Sequence, residues 1–215
     1  MSPLHHRIPL LAASAALALG GAPVFAEDEL PAERPTTPYR AMIRNTFDIA
    51  QPGGGKSGGD TVEIRVSGPH LREKSQIMEE KTFIVDTEKR FVLEFVEKGK
   101  DKVAARFPLN DAPIPYVDGR AALAAYDASW GPPTVAGKDA VAKHDCTVLH
   151  YGKPAEDGVA ACVSKEGVVL RAKIVWPDYE REFEALEFDP GKQDDKYFQP
   201  PKDFQVVDGA SAPAE

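Results

Sequence analysis

The segment from Ala50 to Ser57 reads AQPGGGKS: a small residue, four positions, then Gly-Lys-Ser, the formal spelling of a phosphate-binding P-loop. That chemistry needs a buried strand before the glycines and a helix after them, whose N-terminal amides receive the phosphates. Here Ser57 is followed by Gly58-Gly59-Asp60 and the alternating run DTVEIRVSG. No helix can start there without overriding that alternation. The pattern predicts a hairpin loop, with Lys56 a solvated charge at its tip.

A second group is His144, Cys146 and His150, which share one strand parity, with Cys162 further on. Two imidazoles and a thiolate can converge on a soft metal. The same residues have a simpler use, because the chain has only 2 cysteines and GKPAEDG between their runs reads as a turn. That turn sets Cys146 opposite residue 164, or opposite Cys162 if it is offset by one. Paired strand residues have about the Cα separation that a disulfide accepts. Closing a loop of about 15 residues would stabilise the chain by up to about 3 kcal/mol in the chain-entropy account. A Cys146–Cys162 disulfide is the first reading and a metal site its rival; no metal is assigned.

Acid and nucleophile chemistry finds less support. Glu79-Glu80 and Asp194-Asp195 are paired acids without an apolar neighbourhood to raise one pKa. No serine lies in a strand-to-helix nucleophile elbow. These residues point to no catalytic site, no cofactor and no enzyme. A formal net charge of −8 argues against a nucleic-acid partner, which needs a concentrated basic surface.

The elements that must position any site begin after an export signal. MSPLHHR is a basic leader, IPLLAASAALALGGA an apolar run shorter than the roughly 20 residues of a membrane span, and VFA places Val24 and Ala26 as at a cleavage site. Residues 1–26 therefore read as a signal peptide cut after Ala26, and the protein as periplasmic with no transmembrane segment. Residues 27–37 form a flexible, acidic, proline-rich arm, residues 38–208 a single domain, and residues 209–215 a disordered tail.

Within the domain, Tyr39, Ala41, Ile43, Phe47 and Ile49 share one parity against Arg40, Arg44 and Asp48, as do Val62, Ile64 and Val66 against Glu63 and Arg65. This is the period-two pattern of half-buried strands. KSQIMEE, TFIVD, FVLEFVEKG, KVAARFPL, HDCTVLHY, GVAACVSK, VVLRAKIVW and REFEALEF continue it between short turns, as an antiparallel meander requires. One segment differs: Asp118 can cap a short helix over residues 119–130, stopped by Gly131-Pro132-Pro133. The fold class is mainly β, a curved antiparallel sheet in an open half-barrel with one short inserted helix. Phe198, Phe204, Val206 and Val207 should anchor the C-terminal tail.

The C-terminal half carries a family resemblance. A Gly137-containing lead-in, strands bearing Cys146, Tyr151 and Cys162, the GVVLR run at 167–171, and EFEALEF followed by DDKYFQPPKDFQVV resemble periplasmic domains of the LolA/LolB lipoprotein-carrier superfamily. Phe198 and Pro201 match that superfamily's closing Phe-x-x-Pro segment. The resemblance covers roughly residues 38 to 208. It implies a half-barrel with a helical lid, whose apolar concavity shelters acyl chains. Two features depart from it: the mature N-terminus is acidic and proline-rich where the carrier has an amphipathic helix, and none of Arg40, Arg44, Arg65 and Arg72 matches the carrier's functional arginine by motif.

The expected function is a non-catalytic periplasmic binding protein that holds a lipid, acyl chain or other apolar ligand between sheet and helix. Strand parity selects Ile43, Phe47, Ile64, Phe83, Phe91, Phe95 and Trp176 as the groove lining. The alternative is an envelope protein-interaction module with a closed core and no ligand.

Overall fold

Tyr39, Ala41 and Ile43 are almost wholly buried, while Arg40 and Arg44, of the other parity, point the other way, and this alternation makes Tyr39–Ile49 the first strand. The computed structural model describes residues 30–49, 55–75, 81–98, 100–109, 119, 123 and 130–209. Twelve strands follow in order: β1 (Tyr39–Ile49), β2 (Lys56–Ser67), β3 (His70–Ser75), β4 (Lys81–Asp86), β5 (Phe91–Val96), β6 (Val103–Pro108), β7 (Thr134–Val141), β8 (His144–Lys153), β9 (Asp157–Ser164), β10 (Val169–Trp176), β11 (Tyr179–Pro190) and β12 (Gln205–Asp208). They form one sheet ordered β12-β6-β5-β4-β3-β2-β1-β11-β10-β9-β8-β7. Its ends, β12 and β7, do not pair with each other, so the sheet is an open half-barrel as expected.

All neighbours are antiparallel except the last. β12 runs parallel to β6, with Gln205 opposite Val103 and Asp208 opposite Arg106. A parallel edge strand needs a long return, supplied here by the chain from Gly191 to Phe204, which includes a 3-10 helix at Asp195–Phe198 capped by the Asp194 side chain.

The β1–β2 hairpin is present, but β2 starts earlier than the sequence suggests. Lys56 pairs with Ile49 and Gly58 with Phe47, so Lys56–Asp60 is strand; residues 50–54 lie outside the described residues. No helix follows Ser57, and the P-loop spelling has no P-loop context. The ring of Phe47 lies over Gly58, where a Cβ would come within 2.5 Å of its Cζ. The glycine is what lets an aromatic ring cover the backbone of the neighbouring strand.

β7, read in the sequence only as a lead-in, is a full edge strand bulged between Val135 and Gly137. Of the helix expected over 119–130, Gly119 and Leu123 are described, both helical, and Leu123 is wholly buried in the main core; the rest, with the capping Asp118, lies outside the described residues. So do the signal peptide, residues 76–80 of the expected KSQIMEE strand, and the last six residues. From Leu30 to Thr37 the arm has no regular structure. Leu30 packs against the core, and the Thr36 amide donates to the Glu166 carbonyl at 2.9 Å.

The hairpin carrying the cysteines has the expected register. Cys146 faces Ser164, Val148 faces Cys162, and the disulfide joins Cys146 to Cys162 across the diagonal with a Cα separation of 5.4 Å. With both thiols so engaged, the metal reading loses its sulfur ligand, and the described residues hold no group of three or more His, Cys, Asp or Glu able to bind a metal. His144 instead sets its ring edge-on to Phe188 at 4.9 Å.

Candidate ligand-binding face

Adjacent strand residues point to opposite faces, so the register sorts every side chain. The inner face, against which Leu123 is buried, runs through Tyr39, Ala41, Ile43, Asn45 and Phe47 on β1. It crosses to Val62 and Ile64 on β2, then Glu73 on β3 and Phe83 on β4. In the other direction it reaches Arg181 and Phe183 on β11, Ile174 on β10 and Val159 on β9. Most of these side chains are apolar and belong to or pack against the main core.

The seven predicted lining residues divide between the two faces. Ile43 and Ile64 are core residues of the inner face, Phe83 and Trp176 pack at its margin, and Phe47 is half-buried beside them. Phe91 and Phe95 are not brought to that face. Asp86 pairs with Phe91 and Val85 with Val92, which turns Phe91, Leu93 and Phe95 outward with Ile84. There the C-terminal segment covers them: Phe198 and Phe204 pack on the second cluster, and Phe204 meets Phe95 edge-on at 5.3 Å. Val206, expected as an anchor, is 40% exposed.

At the end of the sheet where β10 turns into β11, Trp176 lies 5.8 Å from Trp130 and 5.4 Å from Tyr179, centroid to centroid. Trp130 is fixed by donating Nε1–H to Asp157 Oδ1 at 2.9 Å. Amphipathic rings with one polar tip satisfied suit the mouth of an apolar site.

Among the polar groups on the inner face, Glu73 is the most deeply set in apolar surroundings. Glu73 sits between Ile64 and Phe83, is 2% exposed, and its Oε2 has no hydrogen-bond partner among the described residues. Burial pushes its carboxyl up to about 7; Arg181 opposes the shift and Asp60 adds to it. Around it, Arg181 donates through Nε to Asn45 Oδ1 at 2.9 Å, and Ser75 donates its hydroxyl to Asp60 Oδ2. Sequence reasoning passed over these residues, although the signal was there: Leu71, Glu73 and Ser75 share a parity, as do Arg181, Phe183 and Ala185, so a charge at an inward position could be read from the alternation alone.

The outer face is polar where the inner is apolar. Glu63 accepts from Arg40 at 2.9 Å, Arg65 at 3.0 Å and Arg72 at 3.2 Å, and Arg40 also reaches Glu187 and Asp189. Burial alone would raise the Glu63 carboxyl, but the bonds from Arg65 and Arg40 outweigh it and hold it below the ordinary value. With Arg44 paired to Glu184, all four arginines considered in the sequence are engaged in outer ion pairs.

No family model matches the chain, and no curated protein is similar to it. Solved structures are. MucB is 14% identical with a TM-score of 0.51 over 81% of this chain and 61% of its own, so the chain spans about three fifths of MucB. An uncharacterized conserved protein from Thermus thermophilus is 12% identical (TM-score 0.49; 80% of this chain, 91% of that one). A LolA superfamily protein from Nitrosomonas europaea is 11% identical (TM-score 0.36; 80% and 93%). The likeness is one of fold, and the open, curved antiparallel half-barrel expected from the sequence is the architecture found. Among the described residues no helix is long and apolar enough to cross a membrane.

Proposed function

We propose that this chain is an exported, non-catalytic binding protein that holds a lipid, an acyl chain or another apolar ligand on the inner face of its open sheet. The observation that supports it most directly is that the sheet stays unclosed while Phe47, Phe83 and Trp176 remain only half-buried along its apolar inner face. Ile43 and Ile64 form the floor of the site, and Leu123 marks the side from which the chain covers it. Apolar surface removed from water contributes roughly 25 cal/mol per Å2, so a single acyl chain can be held without a charged contact. The signal-like residues 1–26, cut after Ala26, and the disulfide fit a periplasmic location.

The test is native mass spectrometry of protein recovered from the periplasm, paired with titration of a fluorescent fatty-acid probe. Co-purifying lipid displaced by the probe is the expected result. Protein that carries no lipid and binds no probe would end this reading.

A second reading is an envelope protein-interaction module. MucB has been solved in complex with MucA, and here β7, at the edge of the sheet among the described residues, could pair with an incoming strand. Pull-down of a stoichiometric partner by lipid-free protein would favour it.

A further inference from the structure

A carboxyl group in an apolar wall is costly to keep, and native proteins rarely leave a buried acceptor without a donor. Glu73 has an Oε2 in that condition, with no partner from the described residues. Its neighbours across the strands are Ile64 and Phe83, so its own strand register presents it to the face on which an acyl chain would lie. Among the described residues, the ionisable groups sharing that face from the surrounding strands are Asp60 on β2, Arg181 on β11, and the Lys81–Glu94 pair on β4 and β5, which closes on itself at 2.9 Å. Arg72 and Lys74, on either side of Glu73 in sequence, point outward to Glu97. Near Glu73 two carboxyls thus stand against one guanidinium, and that guanidinium already donates to Asn45.

This balance discriminates between heads of an amphiphile. A carboxylate head would bring a third anion to that one guanidinium. A head that donates hydrogen bonds and carries positive charge would meet an acceptor oxygen left unused by the described residues. We propose that Glu73 is the head-group anchor of the inner face, and that the ligand held there is an amphiphile with a cationic, hydrogen-bond-donating head, in its simplest form a primary ammonium. The inference rests on the apolar-ligand reading above and narrows it to one head-group class. The position is built for such contrast, since a charge-assisted bond from ammonium to carboxylate is shorter and stronger than a neutral one, and more so away from water.

The anchor works through ionised Glu73, which ties affinity to pH. A carboxyl titrating at about 7 loses roughly nine tenths of its ionised fraction between pH 8 and pH 6. Dodecylamine keeps its charge over that range, so any change in its affinity reports on the protein.

The experiment titrates the mature protein with dodecylamine and with dodecanoate below their micellar concentrations, following tryptophan fluorescence at pH 8 and pH 6. Dodecylamine should bind at least about tenfold more tightly than dodecanoate at pH 8 and lose about tenfold in affinity at pH 6. Glu73→Gln should remove both the preference and the pH dependence while still binding a twelve-carbon chain. If both amphiphiles bind equally and without pH dependence, the anchor is overturned and the apolar-ligand reading stands. If neither binds, that reading falls and the anchor with it. The native protein's pH series decides the matter even if the variant does not fold.

Discussion

Glu73 on β3 and Arg181 on β11 face the same side of the sheet although β2 and β1 lie between their strands: Glu73 aligns through Ile64 with Ala41, and Arg181 pairs with Phe47, of the same parity on β1. The guanidinium lowers the Glu73 carboxyl but does not offset its burial, and the group titrates at about 7 against an ordinary 4.5.

That shift makes a stability prediction. The folded state binds this proton more tightly than the unfolded chain, so Glu73 costs nothing below about pH 4.5, and its penalty grows as pH rises to about 7. Other carboxylates can mask this in the wild type, so the comparison is with Glu73→Gln. Between pH 5 and pH 8 the variant should gain about 2 kcal/mol relative to wild type in urea denaturation. Parallel pH profiles would show that Glu73 ionises as freely in the fold as in the unfolded chain.

The disulfide gives a second prediction. Its span of 16 positions closes one hairpin, so replacing both Cys146 and Cys162 by Ser should lower stability by up to about 3 kcal/mol. Reductant should destabilise the wild type by a similar amount and leave the double variant unchanged. Equal melting of oxidised and reduced wild type would refute this.

Much of this architecture is legible from alternation alone, because β1, β2, β8, β10 and β11 each bury one parity more than the other over most of their length, whereas β9 is buried on both. The cysteine register is legible for the same reason: a turn centred in GKPAEDG leaves few ways to pair Cys146. The phase between strands is not legible where both faces are covered. In FVLEF every position but Glu94 is apolar, since Val92 packs on the inner core while Phe91, Leu93 and Phe95 lie under the C-terminal segment. Nothing local says which parity faces the site; the pairing of Asp86 with Phe91 decides it. β7 is equally hidden. Its residues are mostly exposed at the sheet edge, and Gly137 and Lys138 give it the composition of a loop. Glu73 was readable, but only by following parity through a residue whose charge argues against an inward position.

The outer ion-pair network should be pH-sensitive in the opposite sense. Glu63 is held below its ordinary value, so its contribution is present above that value and fades as pH falls through the folded one. Glu63→Gln removes the negative charge shared by Arg40, Arg65 and Arg72, of which Arg72 is only 9% exposed in its side chain. The expected loss at pH 7 is about 2 kcal/mol, between that of an exposed pair and that of a fully buried one. Thermal melts should converge with wild type as pH falls until Glu63 is protonated in the fold, and a deficit that persists at the acid end would mean packing and not charge was lost.

The N-terminal arm can be tested through one glycine. Gly167 has a φ of +88°, and a Cβ on it would lie 2.6 Å from the Arg34 carbonyl oxygen and 2.8 Å from that of Ala32. Gly131 has a similar φ of +72° with no described residue within 4 Å of where its Cβ would lie. Alanine at either position strains the backbone by about 1 kcal/mol, but only at 167 does it also collide with the arm. Gly167→Ala should therefore accelerate hydrogen exchange of the Thr36 amide, whose bond to Glu166 holds the arm down, whereas Gly131→Ala should leave it unchanged. Faster exchange in both variants would trace the effect to global stability; unchanged exchange in both would show that the arm is held without Gly167.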